Sequence, residues 1–495
     1  MTDPARFPHP VYKDTVLAPL FEATKAHYVE AVRRINQAHL VMLTETGILQ
    51  RDVASGIANA LADIDRTVDI PALRYTGEHE DYFFLVEAEL KQRLGPDMAG
   101  MLHTARSRND MDHTIFKLAL KQRVDSLLDE GRRLAGMMLQ KACAERDTLI
   151  VAYTHGQPAQ PTTFGHYLCA ALEVLLRDLQ RLQSARDGLD HCPMGAAAIT
   201  TSGFPIDRER MAELLGFAEP LRNSYGCIAS VDYITALYSA IKLVFLHLGR
   251  LVQDFQFWTA FEVGQLDVPD ALVQISSIMP QKRNPVPIEH MRHMASVTCG
   301  RCDMVVNTMH NTPFTDMNDS EGEVQQAGYA AFDSGGRMLQ LLAAVIEACS
   351  INSAKVRSNS DAACITITEL ADTLVRNEGL SFRQAHEIAA TTSRAVIAAG
   401  KPLGDGFAAF FRAFLAHADR APSLGEDDFV SAVSARTFVA RRNRTGGPAP
   451  EAMDAALAHY SAVLAGLENR TAAVTGREAA ADETLQRAFN DLMQE

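Results

Sequence analysis

The segment SSIMPQKRNP at residues 276–285 concentrates groups that could move a proton, because it combines two serines, a lysine and an asparagine. Its two prolines restrict the backbone, so the segment loses few conformations when it becomes ordered. A serine acts as a base only if its alkoxide is stabilised. Backbone N–H groups, Lys282 and the N-terminus of a helix beginning near Pro287 could provide that stabilisation. The same composition is also typical of a polar, proline-rich turn without chemistry.

A second polar segment, TARSRND at residues 104–110, is suited to binding a carboxylate. Arginine binds a carboxylate through two parallel hydrogen bonds, and the side chains of Ser107 and Asn109 could complete the site. A charged, solvated turn is the other interpretation. We also expect Asn109 or Asp110 to be the N-cap of the long helix that follows.

A third segment, THGQPAQPTT at residues 154–163, places His155 between a threonine and a glutamine at the predicted end of a helix. The histidine could be a general acid or base, or a hydrogen-bond donor to a carboxylate. Capping the helix is the alternative, and it is the more frequent role of a lone histidine at a helix end. Glu289 lies on the first turn after the serine segment, and it would raise the basicity of His155 if the two side chains faced each other.

Several common catalytic motifs do not occur in the sequence, which has no glycine-rich phosphate loop and no HExxH, GxSxG or EF-hand pattern. A single CxxC pair, Cys299 and Cys302, lies in a helix-like stretch, where buried thiols are a better explanation than a metal or redox site. The remaining hydroxyls, amides, cations and histidine favour carboxylate binding and proton abstraction. We expect neither a metal nor an organic cofactor.

Long helices must position these segments, because apolar residues recur at steps of three and four from Asp112 to about Arg146. Stretches of the same kind, free of proline apart from Pro287 at the start of one, follow at residues 164–189, 232–261, 287–311 and 321–349. Helices of this length bury their apolar faces side by side in a bundle. The sequence therefore predicts an all-α fold, with the polar segments in the breaks between helices.

Changes in helix length and composition divide the chain into three predicted domains. A small helical domain occupies residues 1–111, where the helices are shorter. A central bundle of long helices occupies residues 112–361. A second small helical domain occupies residues 362–495, where short alanine-rich helices alternate with glycines.

The composition bounds the class of protein. The chain has 495 residues, 47% of them hydrophobic and 22% charged, which supplies a large core and excludes a disordered or collagen-like protein. A formal net charge of −14 makes nucleic acid and anionic lipid poor general partners, although a local basic pocket could bind an anionic substrate.

Eight dispersed cysteines indicate free thiols. The N-terminus has no apolar signal core and no run approaches the ~18 apolar residues of a membrane span, so we expect a cytoplasmic protein.

Together the segments resemble those of the aspartase/fumarase superfamily, whose signature loop is similar to SSIMPQKRNP. Within that superfamily the chain looks like the argininosuccinate lyases. The similar segments are TARSRND, THGQPAQPTTFGH, GEHEDYFFLVEAEL (77–90), GFPIDR (203–208) and LADTLVRNEGLSFRQAHE (370–387). The resemblance therefore spans nearly the whole chain.

The resemblance implies a subunit of three all-α domains and a homotetramer whose central helices form one bundle. In this family each active site is assembled from three subunits, and no metal or organic cofactor takes part. The family's reaction is the anti elimination of fumarate from an N-substituted aspartate, which breaks a C–N bond.

The resemblance also implies roles for individual residues. Ser276 would take the proton from the carbon beside the β-carboxylate, and the negative charge would move onto that carboxylate as an aci-carboxylate. Glu289 would pair with His155. The aci-carboxylate would be held by Thr154, His155, Ser277, Met279 through its backbone, Lys282 and Asn284. The other carboxylate and part of the leaving amine would be held by Ser107, Arg108 and Asn109, with Gln157 as a further substrate-binding residue.

The chain departs from argininosuccinate lyases on the side of the leaving group. The glycine before the two serines is Ile275, the usual EDIH reads EDYF at 80–83, and the usual SDRD reads ASVD at 229–232. The stretch YNxDxQEDK, which helps to bind the arginine part, reads PFTDMNDSE at 313–321. The acidic residues that could meet an ammonium-bearing leaving group, or form a solvated turn, are Asp316, Asp319, Glu321 and Glu323.

An intact fumarate side and an altered leaving-group side favour a lyase that acts on another amine. Such a protein would be similar to ethylenediamine-N,N′-disuccinate lyases and related aminocarboxylic-acid lyases. A divergent argininosuccinate lyase is one alternative, and a catalytically silent, crystallin-like structural protein is another. The retention of Ser276, His155 and Lys282 is evidence against the silent protein.

Overall fold

The computed structural model describes residues 7–494 and shows a mainly α-helical chain over that range, which confirms the predicted fold class. The helices up to the first long one are α1 (Pro10–Tyr12), α2 (Ala18–His27), α3 (Val29–Glu45), α4 (Arg51–Thr67), α5 (Tyr82–Leu94) and α6 (Pro96–Met101). Those of the middle are α7 (Arg108–Ala144), α8 (Phe164–Asp187), α9 (Arg208–Leu214), α10 (Ser224–Ala229), α11 (Asp232–Trp258), α12 (Val286–Thr308) and α13 (Glu323–Ala348). The last are α14 (Ser353–Ala363), α15 (Ile367–Glu378), α16 (Phe382–Ala398), α17 (Phe407–Ala418), α18 (Glu426–Ala432), α19 (Ala435–Ala440) and α20 (Pro450–Met493).

Strands occur in the described residues only as four short pairs. Their bounds are β1 (Leu149–Thr154), β2 (Gln157–Thr163), β3 (His191–Cys192), β4 (Glu219–Pro220), β5 (Leu266–Asp267), β6 (Gln274–Ile275), β7 (Arg283–Asn284) and β8 (Ser350–Ile351). The pairs β1–β2, β5–β8 and β6–β7 are antiparallel, and β3–β4 is parallel. A π-helical turn lies at Lys13–Leu17, and 3₁₀ turns lie at Ile70–Ala72, Asp270–Leu272, Asn318–Ser320 and Leu403–Gly406.

The helices α7, α8, α11, α12 and α13 pack side by side as the central bundle. Each matches one of the predicted stretches to within a few residues, because the long apolar periodicity leaves little choice of structure. Glycine permits close approach between two of these helices. A Cβ on Gly335 of α13 would lie 2.5 Å from the Phe245 ring of α11, so any larger residue would push the helices apart.

The apolar core is divided into two main clusters. The larger one joins residues of α3 and α4 to the long helices and also includes Leu485 and Phe489 of α20. The smaller one is confined to residues between Cys364 and Val433. Residues of the predicted domain at 362–495 therefore belong to two different apolar clusters, because α20 packs in the larger one. We propose that the small C-terminal unit ends before α20.

A buried ion network ties α20 to the bundle. Arg186 of α8 is fully buried and donates hydrogen bonds to Asp125 of α7 at 2.8 Å and to Glu478 of α20 at 2.5 Å. Lys121 of α7 lies 2.8 Å from Glu478 and 3.0 Å from Asp190. These pairs fix the direction in which α20 crosses the long helices.

One described helix, α11, is long and apolar enough to cross a membrane when length and mean hydropathy alone are considered. The sequence-based expectation of no such segment rested on uninterrupted apolar runs, which α11 does not have. Half of its most apolar window is buried within the protein. Its buried side chains belong to the main core, which accounts for its apolar character.

Candidate functional site

The first predicted cluster lies at the N-terminus of α7. Ser107 is the N-cap of this helix, and its own N–H donates to the Asp110 carboxylate at 3.0 Å, which completes a capping box. The expectation that Asn109 or Asp110 would be the N-cap is therefore wrong. Asp110 instead reaches back to the cap from inside the first turn, and Asn109 is a residue of that turn.

Arg108 is held by acidic and aromatic neighbours that are not among the predicted site residues. Its guanidinium donates to Glu80 at 3.1 Å and to Asp81 at 2.7 Å, and it lies over the Phe84 ring at 5.2 Å. Part of its hydrogen-bonding capacity is thus already used. No sequence signal predicts this pairing, because the partners lie on a different element.

A cavity of about 210 Å³ opens beside Arg108 and Asn109. Five carboxylates line it, from Glu80, Asp81, Asp112, Asp316 and Glu321. Its apolar wall includes Leu17, Leu20, Phe21, Ile115 and Phe116. The cavity therefore combines an acidic side with an apolar side next to the predicted carboxylate-binding residues.

The carboxylates of the cavity are crowded. Burial raises the pKa of Glu321 to about 7, with a further contribution from Asp316, while Arg108 opposes the shift. Burial also raises the pKa of Asp112 well above its usual range, and the nearby charge of Glu321 is the second largest cause. A bound cation would relieve this repulsion.

The structure separates the four acidic residues that were predicted to meet a leaving group. Asp316 and Glu321 line the cavity, whereas Asp319 and Glu323 are exposed and do not. Asp112 was missed as a site residue. It lies four positions after Arg108 and hence on the same face of α7, so the helical spacing could have indicated it.

The second predicted cluster lies on a β-hairpin, not at the end of a helix as expected. Strands β1 and β2 are joined by His155 and Gly156, with φ angles of +55° and +74°. Two consecutive residues with a left-handed backbone conformation form a tight turn whose twist matches that of the two flanking strands. Thr154, His155 and Gln157 are exposed, and Glu289 lies on the exposed side of the first turn of α12 without a hydrogen bond to His155 in the described chain.

The third predicted cluster lies on the loop between β6 and β7. The Ser276 hydroxyl oxygen accepts the N–H of Met279 at 3.2 Å and that of Ile278 at 3.4 Å. Ser277, Met279 and Lys282 are exposed, and Asn284 is half-buried on β7. The loop thus presents polar groups to solvent while its own backbone amides converge on Ser276.

One chain does not bring the three clusters together. With 37 residues, α7 spans about 54 Å at 1.5 Å per residue. The Ser107 cluster lies at its first residue, and the β1–β2 hairpin follows its last. Tyr153 of β1 contacts Phe257 near the end of α11, with 5.2 Å between ring centroids, so the chain that leads to the Ser276 loop leaves α11 at the hairpin end of the bundle.

The CxxC pair lies in α12. Burial raises the pKa of the Cys302 thiol to about 12, and the neighbouring Cys299 adds to the shift, so this thiol stays protonated. Over residues 7–494, no group of three or more His, Cys, Asp and Glu side chains is arranged to hold a metal ion.

Comparison with known proteins shows the family. A family model described as Lyase matches residues 23–300, and one described as Argininosuccinate lyase C-terminal matches residues 364–440. Argininosuccinate lyase 2 of Agrobacterium fabrum is 60% identical over 99% of this chain and 98% of its own length. This chain belongs to the argininosuccinate lyase family of the aspartase/fumarase superfamily. Argininosuccinate lyase of Halorhodospira halophila is 34% identical over 84% of this chain and 87% of its own length.

Solved structures agree with the family. A variant of EDDS lyase with bound fumarate superposes with a TM-score of 0.85, at 28% identity, over 97% of this chain and 95% of that one. A fumarate lyase:delta crystallin structure from Brucella melitensis gives a TM-score of 0.71 at 16% identity over 86% and 94% of the two chains, which supports the fold alone. As a member of the family, the protein is a carbon–nitrogen lyase.

Proposed function

We propose that this lyase releases fumarate from an N-substituted aspartate by anti elimination, with Ser276 as the base. The observation that carries the proposal is the pair of backbone N–H groups that donate to Ser276 Oγ. Donors that are already in place stabilise an alkoxide, and each well-placed donor contributes about 3 kcal/mol. In a chain of this family, that arrangement suits proton abstraction from the carbon beside a carboxylate.

The charge that leaves with the proton would move onto the β-carboxylate. We propose that this aci-carboxylate is held by Thr154, His155, Ser277, the backbone of Met279, Lys282 and Asn284. All of these residues except the half-buried Asn284 are exposed in the single chain, which supports the proposal because groups that face solvent are free to bind a substrate. Interactions that strengthen as charge develops lower the barrier rather than only increasing affinity.

The remaining groups would hold the rest of the substrate. Ser107, Arg108 and Asn109 would bind the other carboxylate and part of the leaving amine, since Arg108 and Asn109 line the cavity. Glu289 would pair with His155 and raise its basicity, and Gln157 would contact the substrate from the same hairpin. The aci-carboxylate intermediate then expels the amine on the opposite face and leaves fumarate.

We further propose a homotetramer in which each site combines residues of three subunits. The length of α7 supports this, because the helix spans about 54 Å between Ser107 at its N-terminus and the segment that leads to the His155 hairpin. A symmetric assembly of identical chains could bring the two ends of different subunits together. We also propose a cytoplasmic location, which the eight free thiols support.

The acidic cavity supports a cationic leaving amine. Asp112, Asp316 and Glu321 face the same space beside Arg108, whose charge is already shared by Glu80 and Asp81. An amine that carries a second cationic group would balance this excess negative charge. The similarity to EDDS lyase agrees with an amine other than arginine.

Argininosuccinate is the second candidate substrate. The 60% identity to Argininosuccinate lyase 2 of Agrobacterium fabrum favours it. The guanidinium of arginine is also a cation, so the cavity alone does not separate the two candidates.

A substrate panel decides between them. Argininosuccinate and a series of N-alkyl and N-aminoalkyl aspartates would be incubated with the protein, and fumarate release would be followed by its absorbance. We expect release from aspartates with an aminoalkyl substituent, and none from any member of the panel with Ser276→Ala. The variant Ser393→Ala, a helical serine of the small C-terminal unit, is the control and keeps full activity. Activity on argininosuccinate alone would replace the first proposal by the second.

A further inference from the structure

Asp110 is a fully buried carboxylate that the proposed mechanism does not use. It is 0% exposed in the first turn of α7. One of its oxygens accepts the N–H of Ser107 at 3.0 Å. The other accepts the N–H groups of Gly195 and Ala197, both at 2.9 Å. A single side chain thus joins the cap of α7 to a loop that lies far away in the sequence.

The loop that Asp110 holds, residues 194–201, has an unusual backbone. Ala197 and Thr201 have φ angles of +51° and +62°, a region that residues other than glycine rarely adopt. Such conformations persist only where the surroundings hold them in place. Asp110 holds the backbone in place at Ala197 through its hydrogen bond. Arg208 holds the start of the loop by donating to the carbonyl oxygen of Met194 at 3.1 Å.

The same loop fixes the orientation of Asn109. The Asn109 amide nitrogen donates to the carbonyl oxygen of Ala198 at 3.2 Å, and its amide oxygen accepts the Ser107 hydroxyl at 3.3 Å. Ala198 directly follows the residue that is bound to Asp110. The position of this carbonyl, and with it the direction of the second N–H of Asn109, therefore depends on the bonds that Asp110 makes.

We propose that Asp110 is a positioning residue that sets the orientation of the Asn109 amide beside the cavity by holding the loop 194–201 against the N-terminus of α7. This inference rests on the proposed role of Asn109 in binding substrate. It goes beyond that role because it assigns the orientation to a residue that touches no substrate. Capping of α7 alone would not require the two bonds to the loop.

The test is the isosteric variant Asp110→Asn. Asparagine has one carbonyl oxygen, so it cannot accept the Ser107 N–H and the two loop N–H groups from opposite sides as the carboxylate does. We expect amide hydrogen exchange at Gly195 and Ala197 to become at least about tenfold faster. We expect KM for the aspartate substrate to rise by about tenfold while kcat changes less, because Asn109 binds ground state and transition state alike.

The matched control is Asp69→Asn. Asp69 also accepts a backbone N–H, from Ala72 at 3.3 Å, but it caps a short turn away from the cavity. Its replacement should leave KM, kcat and the exchange of the loop amides unchanged. If Asp110→Asn does not fold, the variant Asp110→Ser, whose shorter side chain leaves the two loop N–H groups without their acceptor, should raise KM in the same direction.

The possible outcomes distinguish a failure of the role of Asp110 from a failure of the proposed function. Faster exchange with an unchanged KM would show that Asp110 only stabilises the fold and would overturn the inference, as would unchanged exchange. A folded Asp110→Ser variant with wild-type KM would also overturn it. A wild-type protein that neither binds fumarate nor releases it would instead contradict the proposed function.

Discussion

The residues around Arg108 carry more negative charge than its one guanidinium balances. Glu80 and Asp81 bind it directly, while Asp112 and Glu321 have no cationic partner among the described residues within salt-bridge distance. Keeping Glu321 ionised therefore costs the fold free energy. A cationic group of the substrate would offset that cost by pairing with the ionised Glu321. The preference for a cationic leaving amine would thus follow from the unfavourable environment of this carboxylate.

The variant Glu321→Gln tests this link through stability. Because burial raises the pKa of Glu321 from its usual value to about 7, the folded state binds a proton more tightly than the unfolded state. The free energy of unfolding therefore falls as pH rises from about 4.5 to 7, by about 3 kcal/mol at most for this group. In thermal melts we expect Glu321→Gln to be more stable than wild type at pH 8 and nearly equal at pH 4.5.

The same variant has a functional signature. In wild type, KM for an aspartate with a cationic substituent should rise as pH falls below about 7, because Glu321 then loses its charge. In Glu321→Gln, KM should be raised about tenfold at pH 8, equivalent to about 1.4 kcal/mol, and should vary less with pH. The exposed Glu323→Gln is the matched control with wild-type behaviour. An unchanged KM at pH 8 would rule out contact between Glu321 and the substrate cation.

At the scale of secondary structure, Arg186 shows how α20 is held. The guanidinium is fully buried and bound to carboxylates on α7 and α20. Replacing it with methionine removes the cation bound to the partly buried Asp125, and it deprives the buried Asp190 and the partly buried Glu478 of one cationic partner each. We expect Arg186→Met to lower the free energy of unfolding by about 3–5 kcal/mol in denaturant titrations.

The control for this prediction is Arg177→Met on the same helix. Arg177 pairs with Glu173 at 2.5 Å, but both side chains are about half exposed. An exposed pair contributes at most about 1 kcal/mol, so the control should lose little stability. Equal losses in the two variants would show that burial of the Arg186 network does not matter.

The long helices could be predicted from the sequence because their apolar periodicity is strong and local. The hairpin at His155 could not, since a two-residue turn with a histidine at φ +55° lacks the usual Asn-Gly or Asp-Gly signal. The return of α20 to the main core was also missed, because it depends on buried contacts with residues such as Arg186 and Asp190, far away in the sequence.

The candidate site was predicted in part. Ser107, Arg108, Ser276 and His155 were found as local motifs. Their neighbours Glu80 and Asp112 were not found, because contacts between elements leave no local pattern. The relation between the clusters was supplied by the family resemblance, since α7 separates them within one chain.

At the scale of the whole molecule, the proposed sharing of sites between subunits predicts complementation between impaired variants. Ser276→Ala should be inactive alone, and Asn109→Ala should be severely impaired alone when the substrate concentration is far below its raised KM. Coexpressed in random mixed oligomers, they should recover about a quarter of wild-type activity, because some sites draw both intact residues from different subunits. Purified mixed oligomers with no recovery of fumarate release would contradict sites that are shared between subunits.

The most direct test of proton abstraction by Ser276 follows the substrate C–H bond itself. The protein would be incubated in D₂O with a substrate from the active panel, and deuterium entering the recovered substrate would be measured by mass spectrometry beside fumarate release. We predict that wild type both releases fumarate and exchanges the proton beside the β-carboxylate. Ser276→Ala should do neither while still binding fumarate. Undiminished exchange in Ser276→Ala would contradict the role of this hydroxyl as the base.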